Sequence, residues 1–128
     1  NAQPISMAAT VATLRALADG RAIASIAPQG RRLMEGVDAA LKSAGIPAVV
    51  TGFPQIFHVA FGLTEPARNY RDLMKMDKAR YVRFCGELLK RRVRILERGA
   101  WFLSTTHDEL IIDETLAAVG EAAAAVAD

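Results

Sequence analysis

The sequence predicts an α+β domain: a three-stranded, mostly antiparallel sheet with helices packed on one side. Two observations predict it. The apolar period changes from helical to alternating at Ala48, and two short β-branched and aromatic runs then follow with only Pro54 between them, which read as two strands. Helical spacing then returns twice, on either side of a lone third apolar run at Trp101. The order is helix, helix, strand, strand, helix, strand, helix, which closes as one layer of helices on one small sheet.

The first helix begins with Pro4 in its opening turn, where a missing N–H costs nothing. Met7, Val11, Leu14 and Ala18 line one apolar face, and Gly20 after Asp19 ends it. This helix has no lead-in, so the chain reads as a piece of a larger protein. The second helix spans about Ala22 to Ala44, with Ile23, Ile26, Leu33, Val37 and Leu41 in phase and Gly30 in the seat between Ile26 and Leu33. Pro28 is expected to kink it or delay its start, and Gly45 before Ile46-Pro47 to stop it.

Ala48–Phe53 and Gln55–Gly62 are β-branched and aromatic, and read as a strand pair with a tight or bulged link. Phe57, Val59 and Phe61 share one face of the second strand, and Ile56, His58 and Ala60 the other. A short helix over Tyr70–Lys75 follows the loop 63–69. Asp77 is the expected N-cap of a helix from Lys78 to about Arg92 that buries Tyr81, Phe84 or Cys85, and Leu88. A turn at Arg98-Gly99 leads to a strand over Trp101–Ser104. Thr106-His107-Asp108-Glu109 has the form of a capping box that starts the last helix, with Ile112, Leu116, Val119, Ala123 and Val126 on its apolar face.

Composition narrows the function classes. With 52% apolar residues, a chain of 128 can bury a core of its own. Sixteen basic against 14 acidic residues is too balanced to argue for nucleic acid. The single cysteine, Cys85, rules out an internal disulfide and reads as a buried reduced thiol. No apolar run approaches the roughly 20 residues that cross a bilayer, so the expectation is a soluble, cytoplasmic protein with no membrane partner.

Few residues suggest chemistry. His58 reads as a packed, hydrogen-bonded strand histidine, and His107 as part of a helix start. Neither has a carboxylate at metal-ligand spacing, so no metal site is predicted. There is no glycine-rich phosphate loop and no serine in a nucleophile elbow. The run Lys90-Arg91-Arg92-Val93-Arg94 is read chiefly as cations complementing a helix C-terminus. Binding of phosphates or nucleic acid by that run is the weaker alternative, because no aromatic residues interleave with it. Arg98 is a second candidate contact for an anion.

The same residues, taken in order, resemble the C-terminal part of class III, fold-type I, pyridoxal-phosphate-dependent aminotransferases, and within them glutamate-1-semialdehyde aminomutase-like members. Asn1-Ala2-Gln3-Pro4-Ile5-Ser6-Met7-Ala8-Ala9 resembles N-x-N-P-x-x-M-A-A, with Gln3 for the second asparagine. Asn69-Tyr70-Arg71-Asp72 resembles N-Y-x-D. Leu88-Leu89-Lys90-Arg91-Arg92-Val93 resembles L-L-x-R-G-V, with Arg92 in place of glycine. Phe102-Leu103-Ser104-Thr105-Thr106-His107 resembles F-x-S-x-x-H before the last helix, and Ile112–Leu116 continues it.

The resemblance implies that residues 1–18 are the helix leaving a large pyridoxal-phosphate-binding domain and residues 19–128 the small C-terminal domain beside the active-site mouth. It implies pyridoxal 5'-phosphate as cofactor, an amino-acid or amine substrate, a homodimer, and no nucleic acid. The Schiff-base lysine and the other main cofactor ligands are expected upstream of Asn1, so no catalytic or cofactor-binding residue is assigned, and Lys42, Lys75, Lys78 and Lys90 match no such position. The family's proline-containing loop is absent between Arg94 and Trp101, which argues against the aminomutase substrate in particular and leaves an aminotransferase of an unspecified amine or amino acid open. Arg94 and Arg98 are the candidate contacts for a substrate carboxylate. The competing expectation is a stand-alone α+β binding or regulatory module without catalysis.

Overall fold

A computed structural model describes residues 3–127. Helix α1 (Pro4–Leu17) leads into α2 (Arg21–Ser43), followed by the hairpin β1 (Ala48–Phe53) and β2 (Ile56–Phe61). The short α3 (Tyr70–Leu73), α4 (Lys78–Lys90), β3 (Ala100–Phe102) and α5 (Glu109–Ala125) complete the order. The three strands form one antiparallel sheet in the order β1-β2-β3. The Asn1-Ala2 start of the first motif lies outside the described residues.

Register fixes the faces of the sheet. Val50 pairs with Val59, Gly52 with Phe57, and Phe57 with Trp101, so the Val50, Phe57, Val59 and Trp101 side chains share the inner face. Helices α2, α4 and α5 supply the other half of the core through Leu33, Val37, Leu41, Tyr81, Phe84, Leu88, Ile112 and Val119, all buried. Phe57 stacks on Trp101 with ring centroids 5.4 Å apart, and Phe61 meets Tyr81 edge-on at 5.2 Å. The Trp101 indole N–H donates to the Tyr81 hydroxyl at 3.1 Å in the interior. That bond satisfies the buried indole donor, which unpaired costs about 1–3 kcal/mol.

Helix ends follow from local chemistry. Gly45 (φ 67°) closes α2, with the Gly45 N–H donating to the Lys42 carbonyl at 3.0 Å and the Ile46 N–H to the Leu41 carbonyl at 2.9 Å. Asp77 caps α4 as expected, its side chain accepting from the Arg80 N–H at 3.0 Å. Two expectations are corrected. Helix α2 starts at Arg21, ahead of Pro28, so the proline does not delay it; without an N–H it cannot donate to the Ala24 carbonyl. The N-cap of α5 is Asp108, not Thr106: the Asp108 side chain accepts from the Ile111 N–H at 3.0 Å, while the Thr106 hydroxyl is engaged by the Ser104 hydroxyl at 2.8 Å.

Two glycines let elements approach. A Cβ on Gly30 would stand 2.1 Å from the Pro54 carbonyl oxygen, so α2 runs directly beneath the β1–β2 link. A Cβ on Gly36 would meet the Leu116 side chain at 2.4 Å, which sets the closeness of α2 and α5. Helix α1 is different, with no buried residue along its length and Ile5 and Leu14 85% and 63% exposed. Its apolar stripe is present as the spacing predicts and is left uncovered.

Candidate functional site

The segment from Val93 to Gly99, between α4 and β3, carries both arginines singled out by the sequence. It is set up by the end of α4. The Arg92 N–H donates to the Leu89 carbonyl and the Val93 N–H to the Leu88 carbonyl, both at 3.0 Å, and Arg92 itself takes φ 65°. This is the same closing motif as at Gly45, with arginine in the left-handed position that favours glycine. The chain then turns at Gly99 (φ 91°), whose N–H donates to the Leu96 carbonyl at 3.1 Å.

Arg94 and Arg98 are both exposed, and among the described residues neither is in an ion pair. They border one open cleft against Cys85, Gly86 and Leu89 of α4. Arg98 also borders a second cleft of about 220 Å³ with His58, Tyr70, Lys78 and Glu97. The structure therefore brings the two arginines to one cleft beside α4. Arg91, by contrast, is occupied: it pairs with Glu87 at 2.9 Å and Glu121 at 2.8 Å, and these contacts raise its pKa while Glu87 is lowered, first by Lys90 and then by Arg91. Lys90 pairs with Glu87 at 2.6 Å. The basic run at the end of α4 thus divides into Lys90 and Arg91, which are paired, and Arg92 and Arg94, which among the described residues are not.

The two histidines take different local roles. The Nε2–H of His58 donates to the Arg98 carbonyl at 2.9 Å. His107 Nδ1 accepts from the Ser104 N–H at 3.0 Å and lies 3.0 Å from the Ser104 hydroxyl. The S-x-x-H pattern is therefore a turn clasp ahead of α5. The N-Y-x-D pattern is likewise a cap: the Asn69 side-chain oxygen accepts from the Arg71 and Asp72 N–H groups, and Asp72 accepts from the Arg68 N–H at 3.1 Å. That backbone bond, followed by Lys75, holds the Asp72 carboxyl below its usual range.

Cys85 is buried, and burial followed by the nearby Glu97 charge pushes its thiol up to about 11. Burial likewise pushes the Tyr81 phenol up. Neither is poised to act as a nucleophile or base near neutrality. The four lysines are exposed; Lys42, Lys75 and Lys90 pair with Asp38, Asp72 and Glu87, and Lys78 contacts the Met74 sulfur at 3.8 Å. Among the described residues no cluster of His, Cys, Asp and Glu could hold a metal ion, and no helix is long and apolar enough to cross a membrane.

Sequence reasoning noted His58 and the Arg98-Gly99 turn separately and missed their contact. The signal lay in the register: His58 pairs with Ala100, so the turn before β3 must pass beside the imidazole.

No family model matches the chain. It is 34% identical over 124 residues to the glutamate-1-semialdehyde 2,1-aminomutase of Methanopyrus kandleri, a match covering 95% of this chain and 29% of that protein. It is 34% identical over 121 residues to the aminomutase of the same name from Desulforudis audaxviator, covering 93% of this chain and 28% of that one. Among solved structures, a transaminase with PLP bound superposes with a TM-score of 0.80 at 26% identity, over 98% of this chain and 28% of its own. An omega-transaminase from Sphaerobacter thermophilus gives 0.82 at 27% identity, over 99% and 29%. The chain thus spans less than a third of the length of the curated relatives it matches, up to 29%. Sequence and fold agree with the family that the ordered motifs resemble and with its C-terminal region as the part matched.

Proposed function

We propose, from this similarity to the C-terminal region of class III pyridoxal-phosphate-dependent aminotransferases, that the chain is the small domain of such an enzyme. The segment 1–18, which carries α1 (Pro4–Leu17), leaves the large cofactor-binding domain, and residues 19–128 are the small domain. The whole protein moves an amino group between an amine or amino acid and a carbonyl acceptor, as transaminase or aminomutase, and works as a cytoplasmic homodimer. The single observation that carries this reading is a match over nearly all of this chain to under a third of each relative, coupled with an α1 stripe that buries nothing here.

The residues of this chain do not fit the cofactor. Its four lysines are exposed and none lies in an enclosed cavity. The Schiff-base lysine therefore belongs to the large domain, and the 128 residues alone are inactive. Bound in the large domain, pyridoxal phosphate would supply the electron sink, and the protein around it orientation and electrostatics. What this domain offers is charge at the cleft beside α4. Arg94 and Arg98, free of carboxylates among the described residues, are assigned to the substrate carboxylate, which a guanidinium can grip through two parallel hydrogen bonds.

The test is an intact mass together with the visible absorbance of bound pyridoxal phosphate. A mass several times 13.8 kDa, with a band abolished by borohydride, is expected. A mass equal to this chain with no band on addition of the cofactor to the intact protein overturns the reading in favour of a non-catalytic module.

A further inference from the structure

We infer that His58 is a positioning residue for Arg98, an inference that rests on the assignment of Arg98 to the substrate carboxylate. His58 stands in the middle of β2 on the outer face of the sheet, paired with Ala100 of β3. Its ring donates to the Arg98 carbonyl, and the next residue lies flat against it: a Cβ on Gly99 would stand 2.4 Å from Nε2 and 2.7 Å from Cε1. The Gly99 carbonyl in turn accepts from the Val59 N–H at 2.9 Å. The turn is thus held at two consecutive carbonyls, one by a side chain of β2 and the next by its backbone.

The consequence is geometric. The direction of the Arg98 carbonyl sets ψ of that residue, and so sets how its Cα–Cβ bond leaves the sheet edge. Any half-buried imidazole N–H needs a hydrogen-bond partner; what matters here is which one it has. Here the half-buried ring spends its donor on one peptide, the one that follows the arginine. The side chain so aimed borders both clefts. Displacing a binding group by about 1 Å costs on the order of a hundredfold in a well-ordered site, so the strut beneath Arg98 has work to do even though it touches no ligand.

The test uses the cofactor-loaded enzyme that contains this chain, and compares His58→Leu, His58→Gln and His58→Asn with Arg98→Ala. The glutamine amide reaches about as far as Nε2 of histidine and the asparagine amide falls short. His58→Leu and His58→Asn are expected to raise KM for the amino-acid substrate about tenfold with kcat changed less than about twofold, and His58→Gln to restore most of the loss. Amide exchange at Gly99 is expected to quicken in the leucine and asparagine variants and not in the glutamine variant. If the leucine variant fails to fold, the glutamine–asparagine pair decides. If Arg98→Ala raises KM while the asparagine and glutamine variants have equal KM, positioning is overturned and the role of Arg98 stands. If Arg98→Ala leaves KM unchanged, the substrate role of Arg98 falls, and positioning with it.

Discussion

Arg92 occupies a backbone position that suits glycine. Its φ of 65° closes α4 with the same pair of hydrogen bonds that Gly45 makes for α2. An L-residue there pays roughly 1 kcal/mol through crowding of its Cβ against the following carbonyl. Arg92→Gly is expected to stabilise the chain by about 0.5–1 kcal/mol, read as a higher urea midpoint with an unchanged slope. The sequence already marked the residue as a departure from the resembling pattern, but only the backbone shows that the departure is a strain. Cys85 makes a second test. Its thiol is raised from 9.0 to about 11 by burial, so the folded chain keeps the proton that the unfolded chain gives up first. Stability tied to this group is full below pH 9 and is lost as pH rises from there toward 11. Tyr81 acts in the same sense. The expected outcome is negligible reaction with a disulfide reagent at pH 8 until denaturant is added. Cys85→Ala is also expected to flatten the alkaline fall in the denaturation midpoint; an equally steep fall would assign it to other groups.

At the scale of elements, periodicity was a sound guide wherever one face is buried. The phase of α2 from Gly30 onward, Phe57, Val59 and Phe61 of β2 and the stripe of α4 match buried residues, whereas Ile23, in phase at the start of α2, is 51% exposed. Ends were legible where a single side chain decides them, as at Asp77, and misread where two polar residues compete. The Thr106–Glu109 pattern lost to Asp108 because the Ser104–His107 clasp had already claimed the threonine hydroxyl. Contacts between elements were the least legible. Nothing in the order of residues announced that Gly30 would lie under Pro54, since that meeting joins a helix to a turn 24 positions away. The clash is with backbone atoms at both ends, so a rotamer change cannot relieve it. Gly30→Ala is expected to destabilise by about 1–3 kcal/mol or more by forcing the hairpin off α2. A control at Gly120, where an added Cβ meets nothing within 4 Å, should gain roughly 0.5–1 kcal/mol from helix propensity. Equal effects at both sites would sink the packing argument.

For the whole molecule the informative feature is the contrast between α1 and everything after it. The body from α2 onward buries aromatic and aliphatic side chains from the sheet and three helices in one core. Helix α1 carries Ile5, Met7, Val11, Leu14 and Leu17 with exposures from 40% to 85%, and buries none of them. A helix of 14 residues is marginal in water without a packed face, because propagation barely repays nucleation. The candidate site is exposed in the same way, for Arg94 and Arg98 border open clefts and are in no ion pair among the described residues. That is why fold was legible here and chemistry was legible only as a resemblance: a buried face leaves a periodic pattern in the sequence, and exposed charges leave none. The expected behaviour follows from the contrast between α1 and the core. In the isolated chain, amide protons of α1 should exchange orders of magnitude faster than those of α4 and α5, through local opening that leaves the core intact. In a protein that supplies a surface for its apolar stripe, the same amides should gain protection while the core amides change little. Equal protection of α1 and α4 in the isolated chain would mean that α1 is held by this chain alone, and would remove the argument for a docking partner along that stripe.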